Sequence, residues 1–445
     1  MRDGIFMLAV LCLIFIGIQR PFISVTLWLW SGLIVPKHWI YGFASGISFN
    51  SLFALLTFVT YFIFKVKPRV YFSLLAILAL LFFFMTTITT AMSITIPAMV
   101  WYEWEKFFKA SLLCLMIVLI IRQDIHFNMI LWGILLSTGL LAGTEALKFL
   151  ASGGGHHITG PRNHILNDNN HFALITCMLV PVVIYLFQQE KEKWLKYVLL
   201  GAGLLCIIAI LGTNSRGGLI GLLCISGFLW LKSKRKILML CIFFIFAMGA
   251  GSILSDSWFD RMNTIQDAEK DSSFMTRVKA WKMYTLMAME RPLLGGGFKA
   301  LENPVIWDDI ASDFGRLDFI ETPQPTLGKG WAAHSIYFQV IGDHGFLTFS
   351  IFLMVLLKSF LTLNSIIRKV KDNKGLLWQS QLAQSLKISL IAFCLSGASL
   401  SLPYVEIFWA YISLIIALQF SVIEHERRIN EEESADTASH QAITT

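Results

Sequence analysis

Long apolar runs separated by short polar breaks make up most of the chain. The runs are about 17–23 residues long, the length an α-helix needs to cross a hydrocarbon core of about 30 Å. They place spans at about 43–64, 70–91, 105–121, 127–149, 168–187, 196–211, 216–231, 237–254, 335–362, 383–400 and 404–422. The period-two alternation of barrel strands is missing. Residues 4–35 are interrupted by Gln19-Arg20-Pro21 and read either as one span plus an interfacial piece or as two spans. The expected fold is all-α, a polytopic helical membrane protein of about 12 transmembrane helices with both termini cytoplasmic; thirteen spans is the alternative.

One stretch breaks the pattern. The stretch from Ser255 to Gly345 contains a charged segment of roughly 80 residues between two spans, too long for a turn and of a size that is usually functional. It carries Arg261, Arg277 and Trp281, then the glycine triplet Gly295-Gly296-Gly297, an acidic stretch from Glu302 to Glu321, and Ala333-His334-Ser335 leading into the next apolar run. The expected organisation is therefore 1–254 as the N-terminal membrane region, 255–334 as an extracytoplasmic layer and 335–424 as the C-terminal membrane helices. Residues 425–445 read as a disordered cytoplasmic tail.

Composition agrees with this division: 56% of residues are hydrophobic and 15% charged, against about 25% charged in soluble domains. The net charge of +7 does not point to nucleic acid. Its lysines and arginines sit in short loops at 65–69, 122–126, 188–195, 232–236 and 363–380, which alternation of the spans puts on one side. That is the positive-inside pattern, so the long polar loop is expected on the outer side. The seven cysteines lie in apolar runs without CxxC spacing and read as small core residues. Apolar residues after Met1-Arg2 resemble a signal peptide without a small-residue cleavage site, and are expected to form an uncleaved span.

Candidate chemistry gathers at the outer ends of the spans, where charge is costly and normally faces protein or water. Arg216 starts a helix in a tight Gly-flanked turn, and its planar donor fork suits phosphate oxygens. A snorkelling anchor is the ordinary alternative. Arg162 follows the same logic more weakly. Asp168-Asn169-Asn170-His171 precedes an apolar run; Asp168 reads as a helix cap or positioning group, with Asn170 and His171 as lining residues. Arg277 and Trp281 share one face of a helix expected from Ser272-Ser273 to Arg291-Pro292, an amphipathic helix on the outer leaflet. His334, at a loop-to-span junction, is a candidate general base because neutral imidazole accepts a proton near pH 7. Tyr337 lies one turn beyond it. Trp101-Tyr102-Glu103-Trp104-Glu105-Lys106 forms a further polar cluster. His156-His157 and His164-x6-His171 lack a recognised ligand spacing, so neither metal nor cofactor is expected.

Taken together these residues resemble the O-antigen ligase and polymerase superfamily, most closely the exosortase-associated O-glycosylation ligases. The resemblance rests on Thr159-Gly160-Pro161-Arg162 with Asp168 to His171, on Gly212 to Gly217, and on Arg277-Val278-Lys279-Ala280-Trp281. It continues through Arg291-Pro292-Leu293-Leu294-Gly295-Gly296-Gly297-Phe298 and Ala333-His334-Ser335-Ile336-Tyr337 with Gly342 and Gly345. Arg162-Asn163-His164 departs from the smaller residues expected after that arginine. The resemblance implies a metal-independent, inverting glycosyltransferase in the bacterial inner membrane, its site facing the periplasm. Its implied partners are an undecaprenyl diphosphate-linked glycan, membrane lipids and an acceptor lipid, protein or polysaccharide. It implies His334 as the catalytic residue, Arg216 on the donor diphosphate, and Arg162 and Arg277 as further donor-side arginines. A polymerase is the near alternative. A lipid-linked glycan transporter is the alternative from another class; it would place polar residues near mid-membrane, whereas here they gather at one face.

Overall fold

The computed structural model describes residues 2–162, 164–251, 258, 272–370 and 372–443; Arg261 and Asn163 lie outside the described residues. The described chain is α-helical. Its first helices are α1 (Arg2–Gln19), α2 (Pro21–Ile34), α3 (Phe49–Ile63), α4 (Leu74–Ala91), α5 (Pro97–Ile120) and α6 (Asp124–Ala151). Next come α7 (Asn169–Gln189), α8 (Lys193–Gly212), α9 (Arg216–Lys232) and α10 (Lys236–Gly251). The polar region supplies α11 (Ser272–Glu290) and α12 (Pro304–Ala311), followed by α13 (Ile336–Lys369), α14 (Leu377–Gly397) and α15 (Glu406–Ile443). Six of these segments, α4, α6, α7, α8, α13 and the 406–432 part of α15, are each long and apolar enough to cross a membrane. The fold is thus the all-α polytopic membrane architecture expected from the apolar runs.

The centre of the bundle is α7, which packs against α8, α9 and α14, while α13 packs against α4 and α14, and α15 against α5. Burial follows from this: nearly every side chain of α7 from Phe172 to Val183 is inside, as is most of α15 from Ile407 to Val422. Helices at the rim show apolar side chains outward, as a lipid-facing surface requires.

The ambiguous start resolves into two helices. Pro21, at the first position of α2, lacks the N–H that would continue α1, and α2 is almost wholly buried. This corrects the expectation that both termini share a face. Asp3 accepts a hydrogen bond from the Ala44 amide (3.3 Å), in the α2–α3 connection, whereas α15 begins near that connection and ends at the other face. The stretch expected as a tail continues α15 as helix as far as Ile443. An Arg428–Glu424 ion pair one turn apart supports its first polar turns.

The polar region folds on its own small core. Ala280, Met283, Tyr284, Met287, Trp307 and Phe314 pack together above the bundle. The helix expected on the leaflet surface, α11, therefore buries its apolar face against protein, chiefly α13. Even Lys282 is enclosed, with Nζ 3.1 Å from the Ile320 carbonyl and 3.9 Å from the centre of the Phe314 ring.

The glycine triplet has a structural task. Within α13 the backbone breaks at Gly345, whose φ of 75° is left-handed. Gly296 N donates to Gly342 O (2.9 Å), Gly297 N to Asp343 O (2.8 Å), and Phe346 N to Pro292 O (2.7 Å). These bonds satisfy groups that the break would leave orphaned. A Cβ on Gly295 would meet the Asp343 and His344 backbone at 2.5–2.6 Å.

Candidate functional site

Two short connections are laced together at one end of the bundle. Asp168 caps α7, its Oδ1 accepting from Asn170 N (2.9 Å) and His171 N (3.0 Å). Asn169 Nδ2 donates to Thr213 O (2.7 Å), and Ser215 Oγ donates to Asn170 Oδ1 (2.8 Å). The same Ser215 oxygen accepts from Gly218 N (3.1 Å) and so caps α9. Arg216, half-buried at the first position of α9, is held by this lattice. The glycines after it serve helix packing rather than ligand approach. A Cβ on Gly218 would lie 2.7 Å from Ala173 Cβ, and Ser396 Oγ of α14 donates to Gly217 O (2.8 Å).

His334 enters this end from the polar region. Its φ of 48° is left-handed, a conformation held where surrounding bonds over-determine it. Those bonds are visible: His334 N donates to Ser401 Oγ (2.8 Å), and Trp281 Nε1 donates to Ala333 O (2.9 Å). Trp281 also stacks on Phe338, ring centres 5.0 Å apart, and Ser335 caps α13. The sequence spacing that puts Arg277 and Trp281 on one face thus ties that face to the His334 backbone.

The surroundings of His334 are electrostatically mixed. Burial lowers its pKa below the ordinary 6.5, the Arg277 charge lowers it further and His171 adds to this, while Asp168 opposes them. The imidazole is consequently neutral near pH 7, with a lone pair available to accept a proton. Residues from four separate stretches, around 168–171, 277, 334 and 401, meet here. Ser215, the residue before Arg216, is bonded to Asn170 at the edge of this cluster.

The other expected residues fall less centrally. Arg162 lies exposed in a turn closed by Gly160 N to Leu166 O (2.9 Å), on the connection that delivers Asp168. Tyr337 directs its hydroxyl into the bundle, to the Cys394 carbonyl (3.0 Å), and anchors α13 against α14. His156 meets the Glu145 carboxylate (2.7 Å).

Adjoining this cluster is a cavity of about 830 Å³ whose lining does not include His334, Arg216, Arg277 or Arg162. Asp168, His171 and Ser401 form one wall; Glu103 and Lys106 from the polar cluster at the start of α5 form another. Lys299, Gln339 and Tyr404 were not anticipated. Lys299 has a left-handed φ of 57°, its amide donates to Asp343 Oδ1 (3.1 Å) and its Nζ lies 3.2 Å from Glu103 Oε1. Tyr404 donates to Asp343 Oδ2 (3.1 Å). The one signal for Lys299 was its place directly after the glycine triplet and Phe298. Nothing in the sequence joined Tyr404 or Gln339 to residues from the start of α5.

Chemically, this end offers cationic guanidinium groups, helix N-termini and a neutral imidazole near a roomy cavity whose wall mixes apolar and charged side chains. That combination suits an anionic leaving group and a hydroxyl nucleophile. Residues 1–191 match a family of unknown function (DUF5935), and residues 201–353 match the family described as O-antigen ligase. The second match contains Arg216, Arg277, the glycine triplet, His334 and Gly345. No curated protein matches the chain.

Proposed function

The chain belongs to the O-antigen ligase superfamily through its 201–353 domain, and from that premise we propose that it is an inverting glycosyltransferase of the exosortase-associated type. Membership carries glycosyl transfer of the ligase or polymerase kind, from a lipid-linked glycan to an acceptor. In our reading the donor is undecaprenyl diphosphate-linked, the acceptor presents a hydroxyl, and no metal takes part. The His334 end of the bundle faces the periplasm and the protein lies in the bacterial inner membrane.

In this mechanism the neutral His334 imidazole takes the acceptor hydroxyl proton as that oxygen attacks the anomeric carbon. The bond between that carbon and the donor phosphate oxygen breaks, and its electron pair leaves on the diphosphate. Attack opposite the leaving group inverts the configuration. Arg216 and Arg277, with Arg162 further out, stabilise the charge that develops on the diphosphate. Asp168 and Asn170 position the turn that carries Arg216. His171 lines the site, and Trp281 holds the His334 segment.

The observation that carries this reading is that His334 is half-buried near Arg277, His171 and Asp168, with its pKa lowered chiefly by desolvation. The test is transfer by the purified chain in lipid nanodiscs, with a lipid-linked glycan and a hydroxyl acceptor. His334→Ala and Arg216→Ala should each abolish product while leaving insertion intact; near-normal transfer by either variant removes that residue from the mechanism. Donor supplied without acceptor should give no product. Chain extension under that condition would identify a polymerase instead.

A further inference from the structure

The opposite end of the bundle holds a second polar cavity, of about 770 Å³, that plays no part in the chemistry above. It forms where the α3–α4 and α5–α6 connections meet the start of α14 and the far part of α15. Lys67, Arg69, Arg122, Arg427 and Arg428 line it. Asp124, Glu424 and Glu431 oppose them, so five cations face three carboxylates and two positive charges are left over.

Arg122 is the unusual member, only 5% exposed. Its Nη1 donates to Val118 O and Ile121 O (both 2.6 Å) and its Nη2 to Arg69 O (3.2 Å), but Nε has no hydrogen-bond partner among the described residues. Burial lowers its pKa to about 10, and Glu424 works against that shift. The side chain therefore remains cationic at neutral pH. Glu424 is itself bonded to Arg428 (2.5 Å). Two more buried atoms on the cavity wall lack partners: His425 Nε2, and the acceptor Gln379 Oε1. Orphaned buried polar atoms are costly, and several around one cavity point to a ligand that satisfies them. Arg122 Nε needs an acceptor, which a phosphate oxygen supplies; Gln379 Oε1 needs a donor, which a hydroxyl supplies.

An apolar groove of about 420 Å³ adjoins the cavity, sharing Tyr71 with it. It runs along the bundle between α4, α5 and α15, past Leu80, Phe83, Leu115 and Ile416. Leu80 and Leu115 are exposed, so the groove opens sideways, where a hydrocarbon chain would reach it from the bilayer. Basic cavity and lateral apolar groove match the two halves of one amphiphile.

We propose that this end of the protein binds one anionic glycerophospholipid with a hydroxyl-bearing headgroup. The phosphate sits at Arg122 with Lys67 and Arg427, the headgroup hydroxyl meets Gln379, and an acyl chain lies in the α4–α5–α15 groove. The site is at the far end of the bundle from His334, and it stands whether or not the glycosyl-transfer reading holds.

The experiment is native mass spectrometry of the full chain, delipidated in neutral detergent and titrated with phosphatidylglycerol, phosphatidylethanolamine or inorganic phosphate. Phosphatidylglycerol should bind at least about tenfold more tightly than phosphatidylethanolamine, and inorganic phosphate should not displace it. Lys67→Gln with Arg427→Gln should weaken phosphatidylglycerol binding about fivefold per charge removed and leave phosphatidylethanolamine unchanged. Ala79→Trp, which fills the groove, should weaken both lipids alike. Equal binding of the two lipids, an unchanged preference in the double variant, or displacement by inorganic phosphate would each overturn the proposal. Lys67→Gln and Arg427→Gln made singly, each expected to weaken phosphatidylglycerol binding about fivefold, repeat the test if the double variant fails to fold.

Discussion

The hydrogen bond from Ser215 to Asn170 is, with that from Asn169 to Thr213 O, one of two links between the start of α7 and the turn that carries Arg216, and removing it tests whether it positions the arginine. Ser215→Ala deletes two bonds. The α9 cap at Gly218 N contributes about 1 kcal/mol, and the bond to Asn170 Oδ1 about 1 kcal/mol more. Asn170→Ala deletes the second of these and a bond to its neighbour Asn169 that is local to the α7 turn. If the shared bond is what matters, the double variant loses less than the sum of the single losses, with a coupling of about 1 kcal/mol. In rate terms that is a departure of about fivefold from additivity. A displacement of Arg216 by about 1 Å would lower kcat/KM for the donor by up to about 10²-fold. The assay is initial-rate transfer in nanodiscs for the wild type, both single variants and the double variant, with thermal unfolding of the same four proteins. Strictly additive losses in rate, or single variants with unchanged kcat/KM, would refute a positioning role for the pair.

Three further outcomes follow from the geometry. Because burial, Arg277 and His171 lower the His334 pKa, the acid limb of the kcat/KM profile should fall below pH 6.5, where the imidazole protonates and can no longer accept a proton. Arg277→Gln removes one lowering charge and should move that limb upward; a limb that stays in place would show that Arg277 does not face His334. Gly345→Ala should destabilise the protein by about 1–2 kcal/mol or more, since φ of 75° disfavours a Cβ that would also lie 2.6 Å from Pro292 O. An unchanged unfolding temperature would count against the break in α13. Tyr337→Phe should keep near-normal transfer while losing about 1 kcal/mol of stability, because its hydroxyl serves the Cys394 carbonyl; loss of activity without loss of stability would return Tyr337 to the site.

The glycine triplet shows how a motif can be legible while its task is hidden. Three consecutive glycines before a polar stretch suggest close backbone approach, and that holds. What they approach is the break in α13, some fifty residues later. Likewise Gly217 and Gly218 beside Arg216 look like room for a ligand, yet the space is taken by α14 and by Ala173 of α7. A glycine in a sequence reports that something comes near, and only coordinates show what.

Hydrophobic run length and charge placement suffice to give the all-α membrane fold, most helix positions and the gathering of candidate residues at one end, because the bilayer makes apolar length and polar interruption physically decisive. Capping is equally local, so Asp168 before α7 and the span of α11 could be read directly. The side of the N-terminus, the seating of α11 on α13 and the meeting of Glu103, Lys299, Gln339 and Tyr404 around one cavity could not. Those depend on which helix packs beside which, a matter of shape complementarity between segments hundreds of residues apart, and no local pattern encodes it.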